Sequence, residues 1–439
     1  MKKLTAAQVF FLFILLLILA GSCKKNNPVP PRDGGDDTTG VDTGDGGGDT
    51  SVIVDPKDYN VFGIYVGESA SEDNLDYTGN PRYQYGLTIA KDIALAKYFG
   101  VKYYRMHVSH DRWITDSGKT NFLNYIQRAA DSGLAPVLNV NWNETDQTPD
   151  PFPDAGEYSI FLSEVLDSLN DRFIKPAVIV VENEPANFNN HLIDTSSDAG
   201  IDADVQKYID ELAGAITVCQ SSMWFDGSTG IKVCDGGFMV RQMTFVTYDW
   251  LKNVKKNENA AKTFANNSMP PSIAKDIQNK KYPEYVSIRL RIAYDLINGM
   301  KNLDLNYINL HWQEPAKVRS WDYNKEGGDP YALGISPDSV SKDVLTWVVQ
   351  YFNENLPHVL ISNEIGQLNT SVILNKRITD NFLAFPDNVF PIVCWYDAHG
   401  DNNYDVKSLH NTLFDDMDKT YYELRPNGLQ FQQTMKSLK

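Results

Sequence analysis

Eight short apolar runs rich in β-branched residues recur between residues 61 and 395, with segments of helical periodicity between them. The runs are Val61–Val66, Val101–Val108, Ala135–Trp142, Ala177–Glu184, Ile231–Asp235, Tyr307–Trp312, Val359–Glu364 and Phe390–Trp395. Runs of this length and composition read as buried strands. Leu87–Phe99, Asn121–Ser132, Tyr158–Arg172, Val205–Ser222 and Val340–Asn355 carry the helical patterns, and Gly100 and Gly133 mark helix C-termini. Strand–helix alternation on this scale predicts an α/β fold, a (β/α)8 TIM barrel over residues 56–439. An open doubly wound sheet is the alternative, but no Gly-rich phosphate loop follows the first strand. The long segments Gly67–Pro81, Pro185–Asp202, Gly236–Pro283 and Gln313–Ser336 all follow strands. In a barrel they are loops on the face that carries the active site.

Residues 1–22 read as a targeting segment outside the fold. Lys2 and Lys3 precede the apolar stretch Val9–Ala20, which is too short for a comfortable membrane span. It ends in Leu19–Ala20–Gly21–Ser22–Cys23, which resembles the lipobox of bacterial lipoproteins with Leu one place further from the Cys than usual. That resemblance implies lipidation of Cys23, and hence an exported lipoprotein in the periplasm or on the outer-membrane surface. An ordinary secretory signal is the alternative. Residues 23–55 are a Pro- then Gly/Asp/Thr-rich stretch that can bury little apolar area, as expected of a flexible tether. The remaining cysteines, Cys219, Cys234 and Cys394, are odd in number and argue against a disulfide framework. A net charge of −17 argues against nucleic acid as a partner.

Two of the strands end in a carboxylate. Val178–Val181 runs into Glu182–Asn183–Glu184–Pro185, and Val359–Ser362 runs into Asn363–Glu364. By strand count, Glu184 ends the fourth strand and Glu364 the seventh, so they face each other across the barrel mouth. Two such carboxyls suit glycosidic-bond cleavage, one protonating the leaving oxygen and the other attacking the anomeric carbon. The acid then needs a raised pKa and the nucleophile a cation or hydrogen-bond donors. Glu182 lies two residues before Glu184, on the same face of a regular strand unless a bulge turns it outward.

At Asn183–Glu184–Pro185 and Glu364 the chain resembles glycoside hydrolase clan A, the 4/7 superfamily of retaining β-glycosidases. The resemblance implies Glu184 as acid/base and Glu364 as nucleophile. It implies Asn183 on the sugar 2-hydroxyl, Arg105 on strand two beside the nucleophile, and Trp395 on strand eight as the floor of the sugar subsite. Arg105 as a structural ion pair is the other reading. His311 ends strand six as either a site contact or a packed histidine. Clan members carry His-x-Tyr there, whereas this chain has Gln313 in place of the Tyr, with Tyr396 and Tyr331 as alternatives for the missing phenol. Trp142 and Trp321 are further stacking candidates. Asn141 and Asn143 are either donors to sugar hydroxyls or turn residues.

No metal and no cofactor is expected, since no carboxylate motif completes a site around His107 and His110. The expected partner is an oligo- or polysaccharide, attacked endo-fashion, with the membrane engaged only through the N-terminal lipid. A barrel that binds carbohydrate without turnover and a glucan-remodelling transglycosylase are the rivals. Glycan binding without products would mark the first, and elongated oligosaccharides the second.

Overall fold

The computed structural model of the chain describes residues 57–65, 89–142, 150–187, 191–279, 282, 284–314, 316, 342–367, 371–396, 414–418 and 421–438. Cys23, the tether, Asn143, Trp321 and Tyr331 lie outside the described residues. Val54–Lys439 forms one compact unit.

Eight parallel strand positions close into a barrel. They are β1 (Phe62–Ile64), β2 (Tyr103–Ser109), β3 (Ala135–Asn141), β4 (Val178–Val181), β5, β6 (Tyr307–Glu314), β7 (Val359–Gln367) and β8 (Val393–Trp395). β5 comes in two pieces, Val233–Cys234 and Phe238–Met239, and both pair with β6. β8 pairs with β1, and the β5–β6 pairing closes the ring on the other side. The TIM barrel expected from the sequence is thus the fold observed.

Helices α1 (Ile89–Phe99), α2 (His110–Trp113), α3 (Asp116–Asp131), α4 (Ala155–Asn170) and α5 (Asp198–Ser221) follow the first four strands. α3 starts at Asp116 rather than near Asn121, because Thr115 caps it by accepting from the Gly118 N–H at 3.1 Å. Ser197 does the same for α5 through the Gly200 N–H, 3.0 Å away. Gly100 and Gly133 take φ of +80° and +79°, as expected at helix C-termini.

The expectation that Gly236–Pro283 forms a loop is corrected. Its described residues run mostly through helices Val240–Asp249, Glu258–Ser268 and Pro271–Gln278, with a π-turn at Trp250–Val254. The reason is apolar residues at helical spacing: Met243, Val246 and Trp250, then Ala261, Phe264 and Ala265, then Ile273, Ala274 and Ile277, all buried.

Alternation along the strands sorts the interior. On β6, Ile308, Leu310 and Trp312 pack outward against the helices, while Tyr307, Asn309, His311 and Gln313 share the other face. The bottom of the barrel is an apolar plug that includes Tyr103, Val137, Val178, Tyr307 and Ile361. Gly63 is needed there, because a Cβ would lie 2.7 Å from both Cys394 Sγ and Tyr103 Cβ. Above the plug the inward residues become polar: Arg105, Asn139, Asp235, Asn309 and Asn363, all 0% exposed.

Candidate active site

These polar side chains form one hydrogen-bonded belt beneath the barrel mouth. Asp235 accepts from the backbone N–H of Asn309 (2.7 Å) and of Gly237 (2.9 Å). Asn309 Nδ2 donates to Asn363 Oδ1 at 2.7 Å, and Asn363 Nδ2 to Asn139 Oδ1 at 2.9 Å. Arg105 Nε reaches the same Asn139 oxygen at 3.3 Å. Burial pushes Asp235 up to about 6, against the pull of its two backbone donors. None of the belt asparagines was singled out from the sequence. Their signal was period-two polarity inside otherwise apolar strands, as in Asn139–Val140–Asn141 and Asn309–Leu310–His311.

Local irregularity places both candidate carboxylates. Among the described residues, five non-glycines have positive φ, and two are Glu182 (+63°) and Glu184 (+51°). Such conformations cost about 1–2 kcal/mol each for side-chain-bearing residues. They end β4 at Val181 and break the parity that a regular strand would impose. Asn183 and Glu184 therefore both reach the barrel mouth, while Glu182 turns outward. On β7 a register shift does the equivalent. Asn309↔Ile361 is followed by Trp312↔Ile365, so four residues of β7 oppose three of β6. Consecutive Asn363 and Glu364 can then both contact the interior.

The catalytic candidates converge on His311. Its Nδ1 lies 2.9 Å from Glu184 Oε1 and 3.4 Å from Glu364 Oε2. Its Nε2 lies 2.8 Å from Asn363 Oδ1. Gly237, at φ +104°, packs against this ring, and a Cβ there would run into the imidazole. Arg105 Nη2 stands 3.5 Å from Glu364 Oε2 and donates to Asn183 Oδ1 at 3.0 Å. Arg105 is also faced by the rings of Tyr65 and Tyr396, which stack on each other with centroids 5.2 Å apart. Asn187 Nδ2 donates to Glu184 Oε2 at 2.7 Å. Gln313, at the strand-six position where the resemblance implies a Tyr, itself donates from Nε2 to Glu364 Oε1 at 3.2 Å.

The Glu184 carboxyl is shifted in the opposite direction to the raised pKa expected from the sequence. Burial alone would raise Glu184, but the hydrogen bond and charge of His311 outweigh it and hold the carboxyl below its ordinary value. Burial would lower His311, yet the charges of Glu364 and Glu184 and the bond to Glu184 raise it. Both shifts run the same way, favouring an ionised Glu184 beside a protonated imidazole. An oxygen from each glutamate and His311 Nδ1 all lie within 4.8 Å of one another, a set that could also ligate a metal ion. The Arg105 guanidinium against Glu364 opposes a second cation there.

Three other candidates sit elsewhere. Trp395 does not floor the site. Strand parity sends Cys394 inward and Trp395 outward, where it is fully buried against Phe431 of the C-terminal helix Pro426–Ser437, centroids 5.2 Å apart. The half-buried aromatics beside Arg105 are instead Tyr65 and Tyr396. Trp142 stacks on His110 at 4.0 Å and packs against Phe161, so its ring is a structural contact. Asn141, at the tip of β3, pairs its Nδ2 with His107 Nδ1 at 3.2 Å.

Glu182 belongs to a second, outer cluster. It accepts from the Trp142 N–H at 2.7 Å and lies beside Glu211 of α5. Burial pushes Glu182 up to about 7, and burial plus the charge of Glu182 raises Glu211 well above the usual carboxylate range. Carboxyls raised on folding stabilise fully below their unfolded-chain pKa and lose that contribution as pH rises through the folded value. The melting temperature of the wild-type protein should therefore fall between about pH 4.5 and pH 7 more steeply than that of Glu211→Gln. Parallel melting curves across that window would refute the pair.

No protein-family model and no curated protein matches this chain. Solved structures do match. A β-glycosidase, BGL167, superposes with a TM-score of 0.53 at 10% identity, covering 87% of this chain and 97% of its own. A GH5-4 broad-specificity endoglucanase from Clostridium longisporum gives 0.50 at 10% identity, covering 86% and 96%. At this identity the likeness establishes the shared barrel over nearly the full length of both proteins.

Proposed function

We propose that the protein is a retaining β-glycosidase of the clan A type, acting on a β-linked polysaccharide. The observation that carries this is the carboxylate pair: an oxygen from each of Glu184 and Glu364 lies within 4.8 Å of the other. Oxygens this close suit direct attack by the second carboxylate, the arrangement of retaining enzymes, whose carboxyls stand about 5–5.5 Å apart.

The roles follow from the neighbours. Glu364 has Arg105 and Gln313 against its two oxygens, which favours the ionised form and aims it as nucleophile. Glu184 is the more exposed partner of the His311 pair, 15% against 2% for the side chains. The leaving oxygen takes the shared proton through Glu184, and the same carboxylate then accepts a proton from the water that releases the sugar. Asn183, whose Oδ1 accepts from Arg105, is the residue assigned to the sugar 2-hydroxyl in this reading. The amide donor at Gln313 answers the absence of a strand-six Tyr, which favours turnover over simple glycan binding. The N-terminal segment, lipidated at Cys23, would tether this barrel to the cell envelope, where polymers are met first.

The reading is tested by hydrolysis of β-glucan, mannan and xylan with the anomeric products followed by NMR. The β-anomer should appear first. Initial release of the α-anomer, or no release from any β-linked polymer or aryl β-glycoside, would overturn it.

A further inference from the structure

We propose that Gln313 is a two-ended residue of the site: its amide nitrogen positions Glu364, and its amide oxygen accepts a hydroxyl of the glycosyl unit bound there. This rests on the glycosidase reading above and adds to it a determinant of substrate choice.

The first end is direct. Gln313 Nε2 donates to Glu364 Oε1 at 3.2 Å, while Arg105 and His311 face Oε2 at 3.5 and 3.4 Å. The two oxygens of the nucleophile are thus addressed from different directions, which fixes the plane of the carboxylate. β6 and β7 supply the rigidity. Gln313 pairs with Gly366 in register, two residues beyond Glu364 on the neighbouring strand. The amide orientation follows from its partner, because a carboxylate can only accept and the nitrogen must face it.

The second end is the consequence of the first. With its nitrogen turned to Glu364, Gln313 presents Oε1 elsewhere, and that atom is buried without a hydrogen-bond partner among the described residues. The residue as a whole is only 9% exposed. Buried amide oxygens are ordinarily paired, and an exception inside a site marks where a ligand group completes the set. The group must be a donor, and a glycosyl unit seated on Glu364 offers hydroxyls. A phenol at this position, attached by a rigid ring, would place one oxygen where the amide places a separate donor and acceptor. The side chain therefore reads the sugar as well as holding the nucleophile.

Three proteins are compared: wild type, Gln313→Met (no donor, no acceptor) and Gln313→Glu (acceptor kept, the amide donor replaced by a carboxyl that competes with Glu364 for a proton). Substrates are an aryl β-glycoside that the wild type turns over and its singly deoxygenated analogues. Loss of the donor should move the acid limb of kcat/KM to higher pH in both variants, since Glu364 is then easier to protonate. Gln313→Met should lose about 10- to 100-fold in kcat/KM, the usual effect of one hydrogen bond to a charged group. One deoxy analogue should be penalised with wild type and Gln313→Glu but not with Gln313→Met. An unmoved acid limb in both variants overturns the positioning role. A full set of deoxy penalties unchanged in Gln313→Met overturns the acceptor role, and a structural water is then the oxygen's partner. Either failure leaves the glycosidase reading intact, provided Glu364→Ala is inactive. If Glu364→Ala keeps wild-type activity, that reading fails first.

Discussion

Glu364→Ala should lower kcat on any working substrate by a factor on the order of 10⁴ or more, the scale on which covalent catalysis fails when its nucleophile is removed. Among the described residues, no other carboxylate is placed to take over. The other carboxylate, Glu184, is held by His311 at 2.9 Å and by Asn187 at 2.7 Å. Adding azide to the variant should restore turnover of an activated aryl β-glycoside. The small anion enters the space vacated by the carboxylate and attacks from the same side, so the product is the α-glycosyl azide. The variant also leaves Arg105 buried without its anion, a change that costs about 3–5 kcal/mol when one partner of a buried pair is removed. The remaining bonds of Arg105 to Asn139 and Asn183 offset part of this, and Glu364→Gln offers a better-packed control. Full activity in a folded Glu364→Ala protein would remove the assignment.

Replacement of Glu184 should give a different signature. Glu184→Ala should lose about 10²- to 10⁴-fold on substrates whose leaving group needs a proton, the range typical of a general acid. A dinitrophenyl glycoside needs no such help. Its first step should survive, so a burst of phenol precedes a slow second step. Azide should then speed that second step and yield the β-glycosyl azide, with configuration retained. The pH profile adds an independent check. The charges of Glu364 and Glu184 raise the pKa of His311 against the effect of burial, which favours the imidazole as the proton's holder. Activity of the wild type should therefore fall as pH rises through the His311 value, when the proton supply to Glu184 is lost. The same raised pKa means that the stability His311 contributes is present at low pH and fades over the same alkaline window. Glu184→Ala should lack the alkaline limb with dinitrophenyl substrates. An alkaline limb unchanged in that variant would assign the proton to another group.

The fold was largely legible because burial on both faces of a parallel strand writes a continuous apolar run into the sequence. Eight such runs separated by helical periods leave few alternatives. The strand count that followed was enough to bring Glu184 and Glu364 together, while Arg105, Asn183 and His311 came in through the resemblance at those strand ends. The long segment after strand five reads as a loop in the sequence, yet its described residues are mostly helical. Gly236 and Gly237 announce a turn, and the helical spacing beyond them becomes persuasive only once a surface exists to receive Met243, Phe264 and Ile277.

Side-chain direction was less legible, and the errors share a cause. Trp395 and Tyr396 are neighbours, so one must face away from the barrel axis, and composition does not say which. Parity counted from Cys394 in the apolar plug decides it, but membership of the plug is a tertiary fact. Glu182 poses the converse problem. Regular parity would have put it beside Glu184, and only the left-handed turn at φ +63° sends it to Glu211 instead. The bulge on β7 that lets Asn363 and Glu364 share the interior also depends on pairing with β6, a strand far away in the chain.

The barrel, the order of its strands and the two glutamates at their tips are written into periodicity and strand count, which are properties of the chain alone. Folding alone sets the opposed pKa shifts of Glu184 and His311, which aromatics stand beside Arg105, and the donation from Gln313 to the nucleophile. Those depend on strand parity, register shifts and the charges that folding brings within about 3–4 Å of one another, where in a low-dielectric interior they outweigh each group's intrinsic preference.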